Sequence, residues 1–316
     1  MTACKVAVTG ATGFCGSHIA AALDAAGHGV ATLGRRATAQ RRHAALDLDG
    51  LTHPQAERAL AALDLGPGDC VVHAAAAVGD SGAGDVFHRI NVDGTRALLS
   101  ACASLGLRFV HISSASVYSS AGTAAPRRED SPLGGNSDPY SRTKAVADAA
   151  ADAAGAVVLR PRAVYGHGDP HLLPRLVAAR RGHVLPLPGP SRPMSVTHVG
   201  NLARAVVEAL RWPAGAYNIA DEQPVDRDAA VASVLAALRL PTRIAHIPSR
   251  LAMVAAWASE AVSKAGTAQP HLTRYAVRQL AQPLVLDTSR AAAAGFRPEE
   301  TWDAFVRQLA AADGTN

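Results

Sequence analysis

The sequence predicts an α/β fold: a doubly wound parallel sheet followed by a smaller, mostly helical lobe. Three observations predict it. Short β-branched apolar runs alternate with helical stretches of about ten residues or more through the first half, the pattern of βαβ units. The first run passes through a turn carrying Gly10, Gly13 and Gly16 directly into a helix. From residue 166 the texture changes to Gly-, Pro- and His-rich segments and then to a mainly helical remainder.

The elements follow in order. Residues 5–9 (KVAVT) are a strand ended by Gly10, and 16–26 an Ala-rich helical pattern ended by Gly27. Residues 29–33 (GVATL), 70–75 (CVVHAA), 108–113 (RFVHIS) and 156–159 (AVVL) are further buried strands, the last preceded by a helix over 141–154. Pro170, Pro174, Pro186, Pro188, Pro190 and Pro193 mark loops around one helix at 172–181. A helix over 199–210 and a strand over 216–220 come next, then mostly helix with turns near Pro241 and Pro270. The expected organisation is a Rossmann-type nucleotide-binding domain over 1–165, rejoined by 195–221, and a discontinuous substrate lobe drawn from 166–316.

Of the 316 residues 48% are hydrophobic and 18% charged, which excludes a disordered chain. No apolar run approaches the ~18 residues of a membrane span, and MTACKVAVTG enters a strand pattern without signal-peptide anatomy. Cys4, Cys15, Cys70 and Cys102 are too dispersed for a metal knuckle or a disulfide scaffold. His167 and His171 lie on a Gly/Pro loop without a Cys or carboxylate frame, so no metal is assigned and they are candidates only for the substrate cleft. The net charge of +5 is spread over scattered arginines with few aromatic residues for stacking, which argues against a nucleic-acid partner. A cytoplasmic, reduced protein with no membrane partner and a small-molecule substrate is expected. One basic cluster stands out: Arg35, Arg36, Arg41 and Arg42.

Residues 9–16 read TGATGFCG. The first glycine permits the tight turn, the second lets backbone approach a pyrophosphate, and the third lets the helix pack on the sheet. The helix N-terminus supplies positive potential. Tyr140 and Lys144 are four apart on a helix following Asp138-Pro139, so they share a face. A phenol near pKa ~10 exchanges protons poorly at neutral pH unless neighbouring positive charge favours the phenolate.

The chain resembles the extended, epimerase-like branch of the short-chain dehydrogenase/reductase superfamily. The resemblance rests on the glycine loop, DCVVHAA at 69–75, NVDGT at 91–95, SSASVY at 113–118 and YSRTK at 140–144, with LRPRAVYGHGD at 159–169 beyond them. It spans almost the whole chain. It implies a catalytic set of Ser114, Tyr140 and Lys144, in which the Ser114 hydroxyl donates to the substrate carbonyl where charge builds. Lys144 holds the cofactor ribose and lowers the Tyr140 pKa. Ser113 is the adjacent alternative to Ser114. Asn91 matches a structural and proton-relay residue; a helix-start cap is its other reading. Implied cofactor contacts are Gly10, Thr12, Gly13, Phe14, Cys15 and Gly16, then Ala74, Ala75 and Ala76, then Tyr140, Lys144 and Pro161. Asp47 and Leu48 stand where relatives touch adenine; a solvated loop aspartate is the lesser reading of Asp47.

In NAD-specific relatives an Asp ends the second strand. Here Gly34 stands there, followed by Arg35 and Arg36, so NADP(H) is favoured over NAD(H). A solvated basic loop is the alternative. Ala115-Ser116 replaces the Asp-Glu pair of dehydratases, which argues against dehydration. The motifs LTRYAV (272–277), LDTSR (286–290) and GFRP (295–298) are similar to those of 3β-hydroxysteroid dehydrogenases and keto acid reductases. The stretch 251–262 (LAMVAAWASEAV) suits either cover for a hydrophobic substrate or core packing of the lobe. The expected enzyme is an NADPH-dependent reductase of a ketone or aldehyde on a small or hydrophobic substrate. The alternatives are a nucleotide-sugar 4-epimerase, with Arg162 and Arg192 at the diphosphate, and a non-catalytic NADP-binding regulator. Ala145, Ala149 and Ala153 leave a face for close helix packing, and a homodimer is expected.

Overall fold

Val6 and Val8 turn to one face of the first strand and Ala7 to the other, and all three are fully buried. β1 (Lys5–Thr9) therefore lies inside a sheet covered on both sides. The computed structural model describes residues 4–38, 41–78, 84–119, 126–136, 138–170, 172–264, 273–281 and 284–313. After β1 come α1 (Phe14–Ala25), β2 (Gly29–Gly34), β3 (Arg42–Ala45), α2 (His53–Ala61), β4 (Cys70–His73), α3 (Gly84–His88) and a π-helical turn (Arg89–Asp93). Then follow α4 (Gly94–Ser104), β5 (Arg108–Ile112), α5 (Pro139–Ala153) and β6 (Val157–Pro161). The rest supplies β7 (Val164–Tyr165), α6 (Leu172–Ala179), β8 (Val184–Pro188), β9 (Pro193–Met194), β10 (Thr197–His198), α7 (Val199–Ala209) and β11 (Gly215–Ile219). The last elements are β12 (Val225–Asp226), α8 (Arg227–Ala237), β13 (Arg243–Ile247), α9 (Ser249–Lys264), α10 (Arg274–Ala281), α11 (Ser289–Ala293) and α12 (Trp302–Asp313).

Seven strands form one parallel sheet in the order β11-β6-β5-β4-β1-β2-β3, the doubly wound arrangement. Alternation along the strands builds two cores. Val6, Val8 and Val110 pack with Ile19 and Leu23 of α1 and Leu202 and Val206 of α7. On the opposite face Ala7, Val71, Phe109 and Val158 meet Leu60 of α2, Leu98 of α4 and Ala151 of α5. β11 closes one edge by pairing with β6, Val157 opposite Gly215 through Pro161 opposite Ile219.

Several strands escape a reading of the sequence, among them β3, β8 and β13, the last within a stretch read as mostly helical. β3 (RHAA) is a short edge strand with one buried residue, Ala44, and so little apolar signal. The region 166–193 is more than loops around a helix, because β8 (VLPLP) pairs in parallel with β13. Pro186 and Pro188 are tolerated because this strand has a single partner. They alternate with Leu185 and Leu187, which turns their missing N–H groups toward the open edge. Leu176, Leu185, Leu187, Val231 and Leu235 form the core beneath this ribbon. Buried Arg227 ties it down by donating to the carbonyls of Pro188, Gly189 and Leu280. In α9, Ala252 and Ala256 pack with Val277, whereas Leu251, Val254 and Trp257 are exposed. Pro270 and His171 lie outside the described residues, and no helix among those described is long and apolar enough to cross a membrane.

Candidate active site

The site gathers just past the carboxyl ends of the parallel strands. After β1, Gly10 adopts φ +71°, and a Cβ there would lie 2.9 Å from the backbone of Ala75. A Cβ on Gly16 would lie 2.1 Å from the Gly10 carbonyl oxygen, so the loop folds onto itself as only glycine allows. Gly13 caps α1 without any side-chain hydrogen bond, and no acidic residue sits in the first turn. The N–H groups of Phe14, Cys15 and Gly16 therefore point out of an uncapped helix start, which suits a pyrophosphate. Ala74 to Ala76 line the facing turn, where the Ala75 N–H donates to Thr9 Oγ1 at 3.1 Å.

Gly34 is the last residue of β2, and a Cβ on it would meet nothing within 4 Å, leaving an open corner. Exposed Arg35 and Arg36 border it, and Arg36 Nη2 donates to Thr12 Oγ1 of the glycine loop at 3.5 Å. Arg41 and Arg42 do not share this corner. The first pairs with Asp24 at 2.6 Å and the second donates to the Ala62 carbonyl. Leu48 is buried against Gly94, where an added Cβ would lie 3.0 Å from it. Asp47 is exposed and accepts from the Asp49 N–H. These residues border an open, basic corner beside the glycine loop.

Ser114 and Tyr140 come together at the ends of β5 and the start of α5, their hydroxyls hydrogen-bonded to each other. Ser114 Oγ also accepts from the Ser116 N–H at 3.1 Å. Ser113 is separated from this chemistry, since its hydroxyl donates to buried Asp148 at 2.5 Å. Asp138 caps α5 through the Ser141 N–H at 2.8 Å and so fixes the helix that carries Tyr140 and Lys144. Cys15 and Asp138 both act on Tyr140, which places the glycine loop beside the catalytic helix.

Burial raises the Tyr140 pKa to about 12, with the Ser114 hydrogen bond opposing it. Burial outweighs the lowering expected from Lys144, and Tyr140 keeps its proton. Burial also brings Lys144 down to about 8, with Asp148 opposing. Lys144 Nζ donates to the Ile112 carbonyl at 2.7 Å and meets His111 Nε2 at 3.2 Å. Asn91 lies inside the π-helical turn and is no helix-start cap. Its Oδ1 accepts from the Ala77 N–H at 2.7 Å and its Nδ2 donates to the Ala77 carbonyl and to Thr143 Oγ1, each at 3.2 Å. It thereby joins the 74–77 turn to α5. Pro161 is buried at the end of β6. His167 is exposed, and no group of metal-ligating side chains forms among the described residues.

The sequence left unread the supports under this site. Asp148 and Arg160 form a buried pair with contacts of 2.6 and 2.9 Å. Arg160 also donates to Tyr118 Oη and the Glu129 carbonyl. The available signal was Asp148 one helical turn beyond Lys144. Two buried histidines, His73 and His111, lie with ring centroids 5.5 Å apart. Thr95 Oγ1 donates to the Asn91 carbonyl at 2.7 Å, so it accepts from His73 Nε2 at 3.0 Å, and His73 Nδ1 accepts from the Thr9 hydroxyl at 2.8 Å.

Burial holds His73 at about 3 and His111 well below its usual value. Both stay neutral in the fold but protonate near 6.5 when unfolded. Their contribution to stability is present above pH 6.5 and lost as the pH falls toward 3. Two such groups give a slope of ~2.7 kcal/mol per pH unit. Urea midpoints should hold steady at pH 7 to 8 and drop steeply from pH 6.5 to 4.5, a flat profile contradicting this assignment.

A tyrosine and a serine with bonded hydroxyls and a buried ammonium, all beside a pyrophosphate-shaped loop, suit hydride transfer at a carbonyl or alcohol carbon. That defines an NAD(P)-dependent oxidoreductase. The chain belongs to the NAD dependent epimerase/dehydratase family, whose model matches residues 6–220, within the extended short-chain dehydrogenase/reductases. It is 31% identical to a 2-alkyl-3-oxoalkanoate reductase of Stenotrophomonas maltophilia (strain K279a), covering 88% of this chain and 90% of that protein. It is 28% identical to a 4-hydroxy-2-methyl-3-oxo-4-farnesyl-3,4-dihydroquinoline-1-oxide ketoreductase of Stigmatella aurantiaca, covering 90% and 89%. Its fold matches a short-chain dehydrogenase/reductase superfamily protein from Agrobacterium tumefaciens solved with NAD bound, with TM-score 0.77, 22% identity, and coverage of 98% and 97%.

Proposed function

We propose that the protein is an NADPH-dependent reductase that converts a hydrophobic ketone or aldehyde to its alcohol. The match, along 88% and 90% of this chain, to two proteins named as reductases carries this reading. As hydride reaches the carbonyl carbon the forming alkoxide takes a proton, and the Tyr140 phenol, bonded to Ser114, is the group that supplies it. A bound reduced nicotinamide supplies the hydride. Ser114 holds the carbonyl oxygen, Tyr140 delivers the proton, and Lys144 donates to the cofactor ribose while replenishing positive charge at the phenol.

The two ketoreductases among the relatives support this direction, and their printed substrates carry alkyl or farnesyl groups. The epimerase alternative needs arginines free to meet a diphosphate. Arg162 is buried and donates to Gln279 Oε1 at 2.8 Å, although Arg192 is exposed. The test is stoichiometry: NADPH consumed in proportion to alcohol formed, over a series of 3-keto acids and ketones of increasing chain length. Turnover of a sugar nucleotide with no net loss of cofactor would reject the reductase.

For the cofactor, Arg35→Ala with Arg36→Ala should weaken NADPH binding by about 10²-fold, because charge-assisted bonds to phosphate contribute about 1.5–3 kcal/mol each. NADH affinity should stay within about twofold, since it lacks the extra phosphate. Equal losses measured by cofactor fluorescence would remove these arginines from phosphate recognition. We also propose a homodimer built on α5, where Arg142, Val146, Ala149 and Ala153 are exposed, whereas Ala145, expected on the same face, is buried inside the fold. A monomer mass by solution scattering would overturn it. We place the reaction in the cytosol, in keeping with four cysteines that all remain free thiols.

A further inference from the structure

Lys144 is held from β5 by two acceptors of different kinds. One is the Ile112 carbonyl at 2.7 Å and the other is His111 Nε2 at 3.2 Å. An ammonium donates and never accepts, so Nε2 must be the unprotonated nitrogen and the His111 proton sits on Nδ1. That Nδ1 is buried and has no hydrogen-bond partner among the described residues. Packing alone does not call for such a side chain, because phenylalanine would fill the place without an orphaned donor, as Phe109 does two residues earlier on β5. His73 is the contrast. Both of its nitrogens are bonded, to Thr9 and Thr95, and its ring stops short of His111.

We infer that His111 is a positioning residue for Lys144: its neutral imidazole accepts one N–H of the buried ammonium, Ile112 accepts a second, and the third is left to be donated to a ligand. This rests on Lys144 being the lysine of the proposed hydride-transfer site. The titratable groups that act on the ammonium are Asp148 on α5, His111 on β5 and His73 on β4. Among the described residues the anion of this set is Asp148, and it is shared with Arg160 and Ser113. Burial has already brought Lys144 to about 8, so an acceptor for the charged form matters there.

Nitrogen-15 NMR of the histidine rings in the full chain tests this without any catalytic assay. The expected result is a neutral, Nδ1-protonated His111 from pH 6 to 8.5, whose Nε2 resonance moves toward the unbonded position in Lys144→Met. An Nε2-protonated ring, or a resonance indifferent to Lys144→Met, overturns the proposal. The kinetic arm uses two variants. His111→Phe removes the acceptor, so the basic limb of the kcat/KM profile should move down by about one pH unit as the ammonium loses a bond. His111→Gln keeps an acceptor and should restore the limb. Loss of stability in both variants with an unmoved limb would make His111 structural only. Failure of the reductase reading is separate: wild-type protein would then oxidise no NADPH while the ring spectra stand as expected.

Discussion

Tyr140→Phe lowers turnover by ~10²-fold or more and leaves dinucleotide affinity close to that of the unaltered protein. The ring that fills the space is retained, and only the hydroxyl bonded to Ser114 is lost. The proton for the alkoxide must then come from a group less well placed than the phenol. Stopped-flow measurement of NADPH oxidation separates this step from binding. A kcat within about threefold of wild type, or a loss residing wholly in KM, would move proton transfer to another group. Because the phenol starts protonated, the forward reduction should hold through neutral pH and decline as Lys144 loses its charge near 8.

Asp148→Ala should destabilise the fold by about 3–5 kcal/mol, the range for removing one partner of a buried ion pair. The side chains of Asp148 and Arg160 are 0% and 2% exposed, so the stranded guanidinium has no water to turn to. Ser113 loses its acceptor in the same step. Removing both charges in Asp148→Leu with Arg160→Met should recover much of the loss, since the penalty comes from the unpaired charge. Chemical denaturation checks this. A single variant within about 1 kcal/mol of wild type would show that solvent or a neighbour already shields Arg160.

Much of this was legible in the residues themselves. KVAVT followed by TGATGFCG specifies a central strand, a turn and a helix start, because each glycine answers a local steric demand. The strands at 70, 108 and 157 announce themselves by β-branched runs too short for helices. The parts that stayed hidden share a physical reason. Arg42 to Ala45 and the VLPLP strand take their conformation from a neighbouring strand far along the chain, and no local periodicity encodes that. The same holds for the polar supports. Lys144 meets His111 and Asp148 meets Arg160 across elements brought together only by the fold, so the choice of Ser114 over Ser113 rested on resemblance until one was seen bonded to Asp148 and the other to Tyr140. Tyr140 shows the limit most clearly: its partner Lys144 was visible in the spacing, but the burial that keeps its proton in place was not.

The pairing of β11 with β6 has a consequence for synthesis. β6 is complete once residue 161 has emerged, yet the strand that covers its outer edge ends at Ile219, and Asn218 of that strand also holds the carbonyls of Arg127 and Asp287. A nascent chain paused between those points carries a bare, parallel, apolar edge (VVLRP) with no occupant, the kind of template on which chains join one another. Translation through this interval should therefore be the step most dependent on chaperones, and a chain truncated near residue 210 should accumulate in inclusion bodies whereas one carrying Ile219 has the strand that shields the edge.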